Sequence, residues 1–275
     1  MKEFESSQLK NLYTPPQNSH KGENGKLLLI GGSKLFHAAS LWSLGIASKI
    51  VDMVYYSSVD ENNQIVQNAK EEFRNGIIVP RNKIEDYVQE ADCILIGPGL
   101  PRKDGEQTGD DDTKGLTESL LKKYSEKKWV IDGGSLQTID PQLIPKNAIV
   151  TPHLREFKML FGIKASEKNV IEMAKKYNIV IVAKGPIDYV CSSIECVQVA
   201  GGNAGMTKGG TGDVLAGLIA ALYCKNDDPF LAAAAGSFIN KKAGENLFAK
   251  RSYYFNASDL VDEIPTTMKD LITTP

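Results

Sequence analysis

The sequence predicts an α/β fold in which helices cover both faces of an open, mainly parallel β-sheet. Short runs rich in β-branched residues alternate with helical patterns over the first 200 residues. Several of these runs are apolar throughout, which is typical of strands buried on both faces of a parallel sheet. After residue 200 the pattern changes to helices alone. Such an alternation favours three layers, with the sheet between two layers of helices.

Nine runs are predicted to be strands. The last two are separated by only "SIE", so they predict a hairpin near an edge of the sheet. The predicted strands are 26–30, 50–57, 76–79, 92–97, 129–132, 148–152, 180–184, 188–192 and 196–200.

Eight segments show helical patterns. One of them has a clear start, because Asp228 suits the N-cap position and Pro229 the first turn. The alanine-rich part of the same helix, "PFLAAAAGSFI", is expected to pack in the core. The predicted helices are 38–49, 62–74, 114–127, 154–161, 167–177, 212–224, 229–249 and 257–271.

Composition indicates an ordinary globular protein. The 275 residues carry 32 basic and 34 acidic side chains, a net charge of −2, so no basic field indicates a nucleic-acid or membrane partner. The apolar runs are interrupted well before the ~20 residues that span a bilayer, and the polar start lacks the apolar core of a signal peptide. We expect a cytoplasmic protein with a single domain over residues 1–275, in which residues 1–20 form a partly ordered lead-in.

The cysteines and the polar stretch 101–115 are both interpreted as structural features rather than as parts of a functional site. The four cysteines, Cys93, Cys191, Cys196 and Cys224, show no CxxC spacing and lie in apolar stretches. They are expected to be buried, reduced thiols. The polar stretch 101–115 is interpreted as a surface loop, with a lid beside a site as the alternative.

A glycine-rich turn is the most informative motif. "KGGTGD" (208–213) precedes an apolar helix. A helix N-terminus leaves N–H groups unpaired, and glycines let an anion approach them, so the turn predicts an anion site. Asp213 beside it is either a base that accepts the proton of a hydroxyl, as in phosphoryl transfer, or a residue that favours the helix dipole. The neighbouring glycines and Lys208 favour the base.

Five ordered motifs resemble the NAD(P)H-hydrate dehydratase family, a branch of the ribokinase-like superfamily. The resemblance covers residues 20 to 250 and implies a ribokinase-like three-layer α/β/α sandwich. The motifs are "HKGENGKLLLIGGS" with "HAASLWSLGIA", then "IGPGL", "TPHLREF", "VAKGPIDYV" and "GGNAGMTKGGTGDVLAG".

The resemblance implies repair of hydrated NADH and NADPH. ADP or ATP, with Mg²⁺, phosphorylates the hydroxyl of the hydrate, and phosphate then leaves. In this family pattern Asp213 is the base, and the backbone N–H groups of Gly210, Thr211 and Gly212 hold the transferred phosphoryl charge.

The resemblance also implies two sets of binding residues, each with a structural alternative. Lys184 would otherwise be a surface lysine, Gly99 a turn residue and Asn203 a residue that fixes its own loop. The implied substrate-binding residues are Ala39, Gly99, His153, Asn203 and Asp213. The implied nucleotide-binding residues are Lys184, Gly185, Pro186, Ile187, Asp188 and Gly212, and the ligands of the expected Mg²⁺ are unknown from the sequence.

Three positions depart from the family pattern. Gly134 in "VIDGGSL" stands where relatives have a second acid, while Asp132 remains at a predicted strand end. Lys208 stands where a small residue is usual, and it either adds charge to the phosphate site or points outward. Pro101 and a long polar loop follow "GPGL", where relatives have another glycine.

Two other functions stay open at this point. One is a kinase of the same fold that acts on a hydroxymethylpyrimidine, a thiazole alcohol or a sugar. The other is a nucleotide-binding module without turnover, which is favoured by the replacement of the second acid by Gly134. We also expect a homo-oligomer, and we expect any epimerase of the two hydrate forms to be a separate protein.

Overall fold

A computed structural model describes residues 1–68, 76–102 and 110–273, with side chains to residue 272. The described strands agree with the nine predicted runs to within three residues at each end and add one at the N-terminus. They are β1 Lys2–Glu3, β2 Lys26–Ile30, β3 Met53–Ser57, β4 Ile77–Ile78, β5 Cys93–Ile96, β6 Lys128–Ile131, β7 Ile149–Val150, β8 Val180–Ala183, β9 Asp188–Cys191 and β10 Cys196–Val199.

The helices also follow the prediction, with two short additions, α3 and α5. They are α1 His37–Ala47, α2 Asp60–Asn68, α3 Ile84–Val88, α4 Thr113–Lys123, α5 Gly133–Thr138, α6 Leu154–Phe161, α7 Glu167–Tyr177, α8 Thr211–Lys225, α9 Pro229–Arg251 and α10 Ala257–Thr273. Short 3-10 turns lie at Ser6–Asn11, Arg81–Lys83, Pro141–Leu143 and Ala204–Thr207. Residues 69–74 of the predicted helix 62–74 and 103–109 of the predicted loop 101–115 lie outside the described residues.

The strands of the described residues form one sheet in the order β1-β10-β9-β8-β7-β6-β5-β2-β3-β4. From β4 to β8 neighbouring strands are parallel. Strand β9 pairs antiparallel with both β8 and β10, and β1 pairs parallel with β10 at the edge. The mainly parallel sheet and the hairpin near its edge are therefore confirmed. Among the described residues, none of the helices is long and apolar enough to span a bilayer.

Two hydrophobic cores lie on opposite faces of the sheet. Alternate residues of β2 divide between them, because successive strand side chains point to opposite faces. Helices α1, α8, α9 and α10 cover one face, and α3 to α7 cover the other. As expected, Ala232–Ala235 of α9 are fully buried, and Asp228 caps that helix through the Phe230 N–H.

The N-terminal segment contributes to the sheet and to one core. Residues 2–3 pair with β10, and the Leu9 side chain is fully buried. This short strand follows no alternating pattern, so its pairing depends on the edge that β10 offers.

The expectation of reduced thiols is wrong for two cysteines. The antiparallel register of β9 and β10 sets Cys191 opposite Cys196, with Cα atoms 4.1 Å apart, and the pair forms a disulfide. Hairpin pairing brings together two residues that have no CxxC spacing in the chain. Cys93 and Cys224 are free and buried, as expected.

The order of the strands indicates at which edge of the sheet a ligand would bind. The chain proceeds from β2 outward through β3 and β4, and then returns to the other side of β2 with β5. In open parallel sheets ligands bind at the carboxyl ends of strands near such a switch point. The residues after β2, β5, β6, β7 and β8 therefore meet at one edge.

Candidate active site

A buried lysine–carboxylate pair lies at the carboxyl ends of β6 and β8. Lys184 Nζ donates to Asp132 Oδ1 at 2.8 Å, and Thr151 Oγ1 donates to the same oxygen at 2.7 Å. Asp132 is only 3% exposed, so its charge is neutralised by Lys184 rather than by bulk water. Lys184 is thus not the surface lysine that sequence alone allowed.

The glycine turn brings the start of α8 against this pair. A Cβ on Gly212 would lie 3.3 Å from Lys184 Nζ, so the glycine permits close approach. Gly210 is the N-cap, with φ of +95°, a conformation that favours glycine. The N–H groups of Gly210 and Gly212 have no acceptor among the described residues, whereas the Thr211 N–H is 3.4 Å from Lys208 O. Unpaired N–H groups at a helix N-terminus suit an anion.

Asp213 is half-buried in the first turn of α8, and its backbone carbonyl accepts a hydrogen bond from Ser43 Oγ at 2.7 Å. Burial and the charge of Asp132 raise the pKa of Asp213 to about 7, although Lys184 opposes the shift. Burial alone would lower the pKa of Lys184, but Asp132 and Glu156 outweigh it and the net direction is upward. A carboxyl group that titrates near neutral pH is suited to proton transfer.

His153 caps α6 instead of standing alone. Its Nδ1 accepts the N–H groups of Arg155 and Glu156 at 3.1 and 3.2 Å, and Glu156 Oε2 accepts the His153 N–H in return. Because Nδ1 is an acceptor, the proton of a neutral ring is on Nε2. Nε2 is 3.5 Å from Glu156 Oε1, and the ring lines the main cavity. The imidazole is held in place and presents a donor.

Ala39 in α1 and Gly99 after β5, both expected to contact substrate, lie close together. A Cβ on Gly99, whose φ is +71°, would lie 3.1 Å from Ala39 Cβ. Gly97 packs directly on the Asp132 backbone, which links this region to the lysine–carboxylate pair. Position 134 requires glycine for steric reasons, because a Cβ there would lie 2.8 Å from the Leu100 carbonyl carbon.

The segment Lys184 to Asp188 is tied to α9. Asp188 accepts the Gly185 N–H at 2.9 Å and the Ser237 hydroxyl at 2.8 Å. Lys241, which is 6% exposed, donates to Gly185 O and Pro186 O at 3.1 Å and to Gly201 O at 3.3 Å. Asp188 and Lys241 thus hold the segment in one shape.

A cavity of about 870 Å³ lies between this segment, the glycine-rich loop and the start of α8. Asn203 lines it but fixes its own loop, because its Oδ1 accepts the Gly205 N–H and its Nδ2 donates to Gly244 O. Half-exposed Ile187 is not among the lining residues, which are His153, Lys184, Gly185, Pro186, Asp188, Gly201, Gly202, Asn203, Ala204, Met206, Thr207, Thr211, Gly212, Leu215, Asn240 and Lys241.

Lys208 points away from the glycine turn. Its Nζ donates to the carbonyls of Tyr253 and Phe255 and lies 5.2 Å from the Phe255 ring centroid. It therefore anchors the loop between α9 and α10 and contributes no direct contact to the anion site.

Replacing Lys241 by methionine should lower the free energy of unfolding by about 3 kcal/mol, because three carbonyls and the Asp188 carboxylate lose a buried donor. Chemical denaturation measures this loss. The neighbouring Lys242 is partly exposed and pairs with Glu245 at 2.7 Å, so Lys242→Met should change stability by less than about 0.5 kcal/mol. Equal losses in the two variants would contradict the structural role of Lys241.

Sequence reasoning missed Lys241, Ser237 and Asn240. All three lie on one face of α9, at spacings of three and four residues. The signal was present as polar residues recurring on the buried face of an alanine-rich helix. Nothing in the sequence specified which loops that face would meet.

Comparison with known proteins identifies the family of this chain. The family model described as NAD(P)H-hydrate dehydratase matches residues 27–266. The ADP-dependent (S)-NAD(P)H-hydrate dehydratase of Nitrosopumilus maritimus is 34% identical and aligns over 91% of both chains. The bifunctional NAD(P)H-hydrate repair enzyme Nnr of Methanocaldococcus jannaschii is 38% identical over 95% of this chain. The chain spans about half the length of the bifunctional relatives it matches first, 51% and 50%.

Solved structures show the same fold. A ribokinase-like superfamily protein from Enterococcus faecalis superimposes with a TM-score of 0.84 at 23% identity, covering 99% of this chain and 97% of its own. An ADP/ATP-dependent NAD(P)H-hydrate dehydratase from Bacillus subtilis, co-crystallised with ATP and Mg²⁺, gives 0.81 at 23% identity and 98% coverage of both. The predicted ribokinase-like fold is confirmed. Through the match over residues 27–266 and the relative at 34% identity, the chain belongs to the NAD(P)H-hydrate dehydratase family.

Proposed function

We propose that this protein dehydrates hydrated NADH and NADPH to the reduced cofactors, with ADP or ATP as the phosphoryl donor. One observation carries the proposal within this family. The Asp213 carboxyl, with its pKa raised to about 7, lies in the same helical turn as the unpaired Gly212 N–H and beside Lys184. A base, an anion site and a cation are the groups that phosphoryl transfer to a hydroxyl requires.

In the proposed reaction Asp213 accepts the proton of the hydrate hydroxyl as that oxygen bonds to phosphorus. The bond from phosphorus to the nucleotide breaks, and the shortened nucleotide leaves with its electron pair. The N–H groups of Gly210 and Gly212 stabilise the charge on the phosphoryl oxygens. The carbon–oxygen bond then breaks to release phosphate, and loss of a proton from the adjacent ring carbon restores the dihydronicotinamide. Phosphate is a far better leaving group than hydroxide.

The cavity suits an adenine nucleotide and Mg²⁺. Its volume of about 870 Å³ lies within the usual range of small-molecule sites. In the described ranges no group of three His, Cys, Asp or Glu side chains forms a metal site. Mg²⁺ would thus be held mainly by phosphate oxygens and water. When bound, the ion would offset negative charge on the phosphates.

An assay with hydrated NADH tests the proposal. Purified protein with Mg²⁺ and ADP or ATP should restore the near-ultraviolet absorbance of the dihydronicotinamide and release one phosphate for each NADH formed. Omission of the nucleotide should abolish the change. Phosphorylation of a hydroxymethylpyrimidine or thiazole alcohol without repair would establish the kinase function instead. Nucleotide binding without turnover of any hydroxyl acceptor would establish a binding module.

Finer points belong to the same proposal. The name of the Nitrosopumilus relative supports ADP as the donor and the S form of the hydrate as substrate. One continuous sheet through the described ranges supports a single working domain. A separate epimerase, a homo-oligomeric assembly and a cytoplasmic location stay predictions.

A further inference from the structure

One face of α1 packs directly against α8. A Cβ on Gly217 of α8 would lie 2.7 Å from Ser43 Cα and 2.8 Å from Ile46 Cγ2, so the glycine lets the two helices approach closely. Ala39 lies on the same face of α1, one turn before Ser43. Close-packed elements transmit a displacement from one to the other, so the position of α8 depends on that of α1.

Ser43 bonds the backbone of the acid in the first turn of α8. Its side chain is fully buried, and its Oγ donates to Asp213 O at 2.7 Å. Ser43 is not among the residues that line the cavity. Because the bond is to the carbonyl, it leaves the Asp213 carboxyl free while it holds the main chain from which that carboxyl extends.

Trp42, the preceding residue of α1, packs against the N-cap of α8. A Cβ on Gly210 would lie 2.4 Å from Trp42 Cε3 and Cζ3, so the indole lies directly on the glycine. Trp42 Nε1 donates to Ser258 Oγ at 3.1 Å, which ties the ring to the start of α10. The ring is therefore held against the main chain that carries the unpaired Gly210 N–H.

The same helix reaches the region expected to bind substrate, because a Cβ on Gly99 would lie 3.1 Å from Ala39 Cβ. Helix α1 thus contacts the substrate region, the N-cap that would hold phosphoryl charge and the backbone of the proposed base. Transfer of a phosphoryl group requires these parts to be aligned, and an error of about 1 Å costs about a hundredfold in rate.

We propose that α1 aligns the substrate hydroxyl with the start of α8, with Ser43 and Trp42 as positioning residues that act through Asp213 and Gly210. The inference rests on the proposed function. Ser43 holds the main chain of the base, and Trp42 holds that of the anion site. Loss of either side chain should therefore slow the chemical step more than it weakens the binding of substrate or nucleotide.

Kinetics of three variants test the proposal. Ser43→Ala should lower kcat for hydrated NADH by about tenfold, with KM and the dissociation constant of ADP changed by less than about twofold. Trp42→Leu withdraws the ring from Gly210 and should lower kcat to the same extent. Ser48→Ala is the matched control, because Ser48 is the C-cap of α1 and its hydroxyl donates to Gly45 O at 3.0 Å. It should keep the wild-type kcat.

Thermal unfolding separates positioning from stability. Ser43→Ala loses a buried hydrogen bond and should lower the Tm by a few degrees, so kcat is measured well below that temperature, where the variant is folded. A lower Tm with an unchanged kcat would make Ser43 a merely structural residue and overturn its role.

The remaining outcomes are also decisive. An unchanged kcat in Trp42→Leu would overturn the role of Trp42, and if that variant does not fold, Trp42→Phe, which also lacks the bond to Ser258, takes its place. An equal loss of kcat in Ser48→Ala would overturn the inference. Each of these results leaves the proposed function intact, whereas a wild-type protein that does not dehydrate hydrated NADH would overturn both.

Discussion

Replacing Asp213 by asparagine is expected to lower turnover of hydrated NADH by about a thousandfold or more, within the range known for loss of a general base. The amide cannot accept the hydroxyl proton. Nucleotide affinity should change little, because the Gly210 and Gly212 N–H groups and Lys184 remain. Single-turnover kinetics and calorimetric titration of ADP measure the two effects.

Glu167 is a suitable control for Asp213, since it is also an acid in the first turn of a helix. Glu167→Gln should retain full turnover. In the wild-type protein kcat/KM should rise with pH through about 7, because Asp213 acts only when ionised. Wild-type turnover in Asp213→Asn, or a profile flat through pH 7, would contradict the assignment.

The same substitution should stabilise the protein in a pH-dependent manner. The pKa of Asp213 is about 7 in the fold and 3.8 in a model peptide, so ionisation favours the unfolded chain. The penalty is absent below about pH 4, grows as the pH rises and is complete above about pH 7. Asp213→Asn should therefore gain about 2 kcal/mol at pH 8, about half of what the two pKa values imply because Asp213 is only half-buried and solvent screens part of its charge, and almost nothing near pH 4. Urea unfolding at both pH values measures the difference, and an equal gain at both would contradict the raised pKa.

Replacing Lys184 by methionine is expected to lower the free energy of unfolding by about 3 kcal/mol and turnover by about a hundredfold. The change leaves the buried Asp132 charge with Thr151 as its remaining side-chain donor among the described residues. It also removes the cation that lowers the pKa of Asp213, so the acidic limb of the pH profile should move above pH 7. Denaturant unfolding and kcat/KM against pH measure the effects.

Two variants separate charge pairing from catalysis. Asp132→Asn with Lys184→Met removes both charges and should recover most of the stability but not the turnover. Lys128→Met is a matched control, since Lys128 donates to Tyr223 O and Asn226 O and pairs with Asp227 at the opposite end of β6. Its acidic limb should be unchanged. If Lys184→Met left both stability and the pH profile as in the wild type, the lysine would have neither proposed role.

Local pattern predicted most of the fold. The apolar strands and the cap of α9 depend on neighbouring residues, so they were inferred along the chain. The capping of α6 by His153 was not predicted. The short helices α3 and α5 and the strand β1 carry too few residues for a periodic pattern. The Cys191–Cys196 disulfide depends on strand register, which no spacing rule for cysteines expressed.

The candidate site divides in the same way. Asp213 and its glycines were inferred from the sequence, because an anion site at a helix start is built from consecutive residues. The pairing of Asp132 with Lys184 and the bonds of Lys241 join residues 40 or more positions apart, and the unpaired Oδ1 of Asn240 depends on burial. Sequence alone left Lys184 as either a ligand or a surface lysine, and Lys208 as either a phosphate contact or an outward side chain.

A parallel sheet that ends beside a glycine-lined helix start bearing an acid was predictable from local pattern, because strand burial and turn chemistry are local properties. Which charges neighbour that acid, and therefore at which pH it titrates, was known only once the chain was seen folded. Electrostatic interaction depends on distance and burial, and these follow from how β6, β8 and α8 meet at one edge of the sheet.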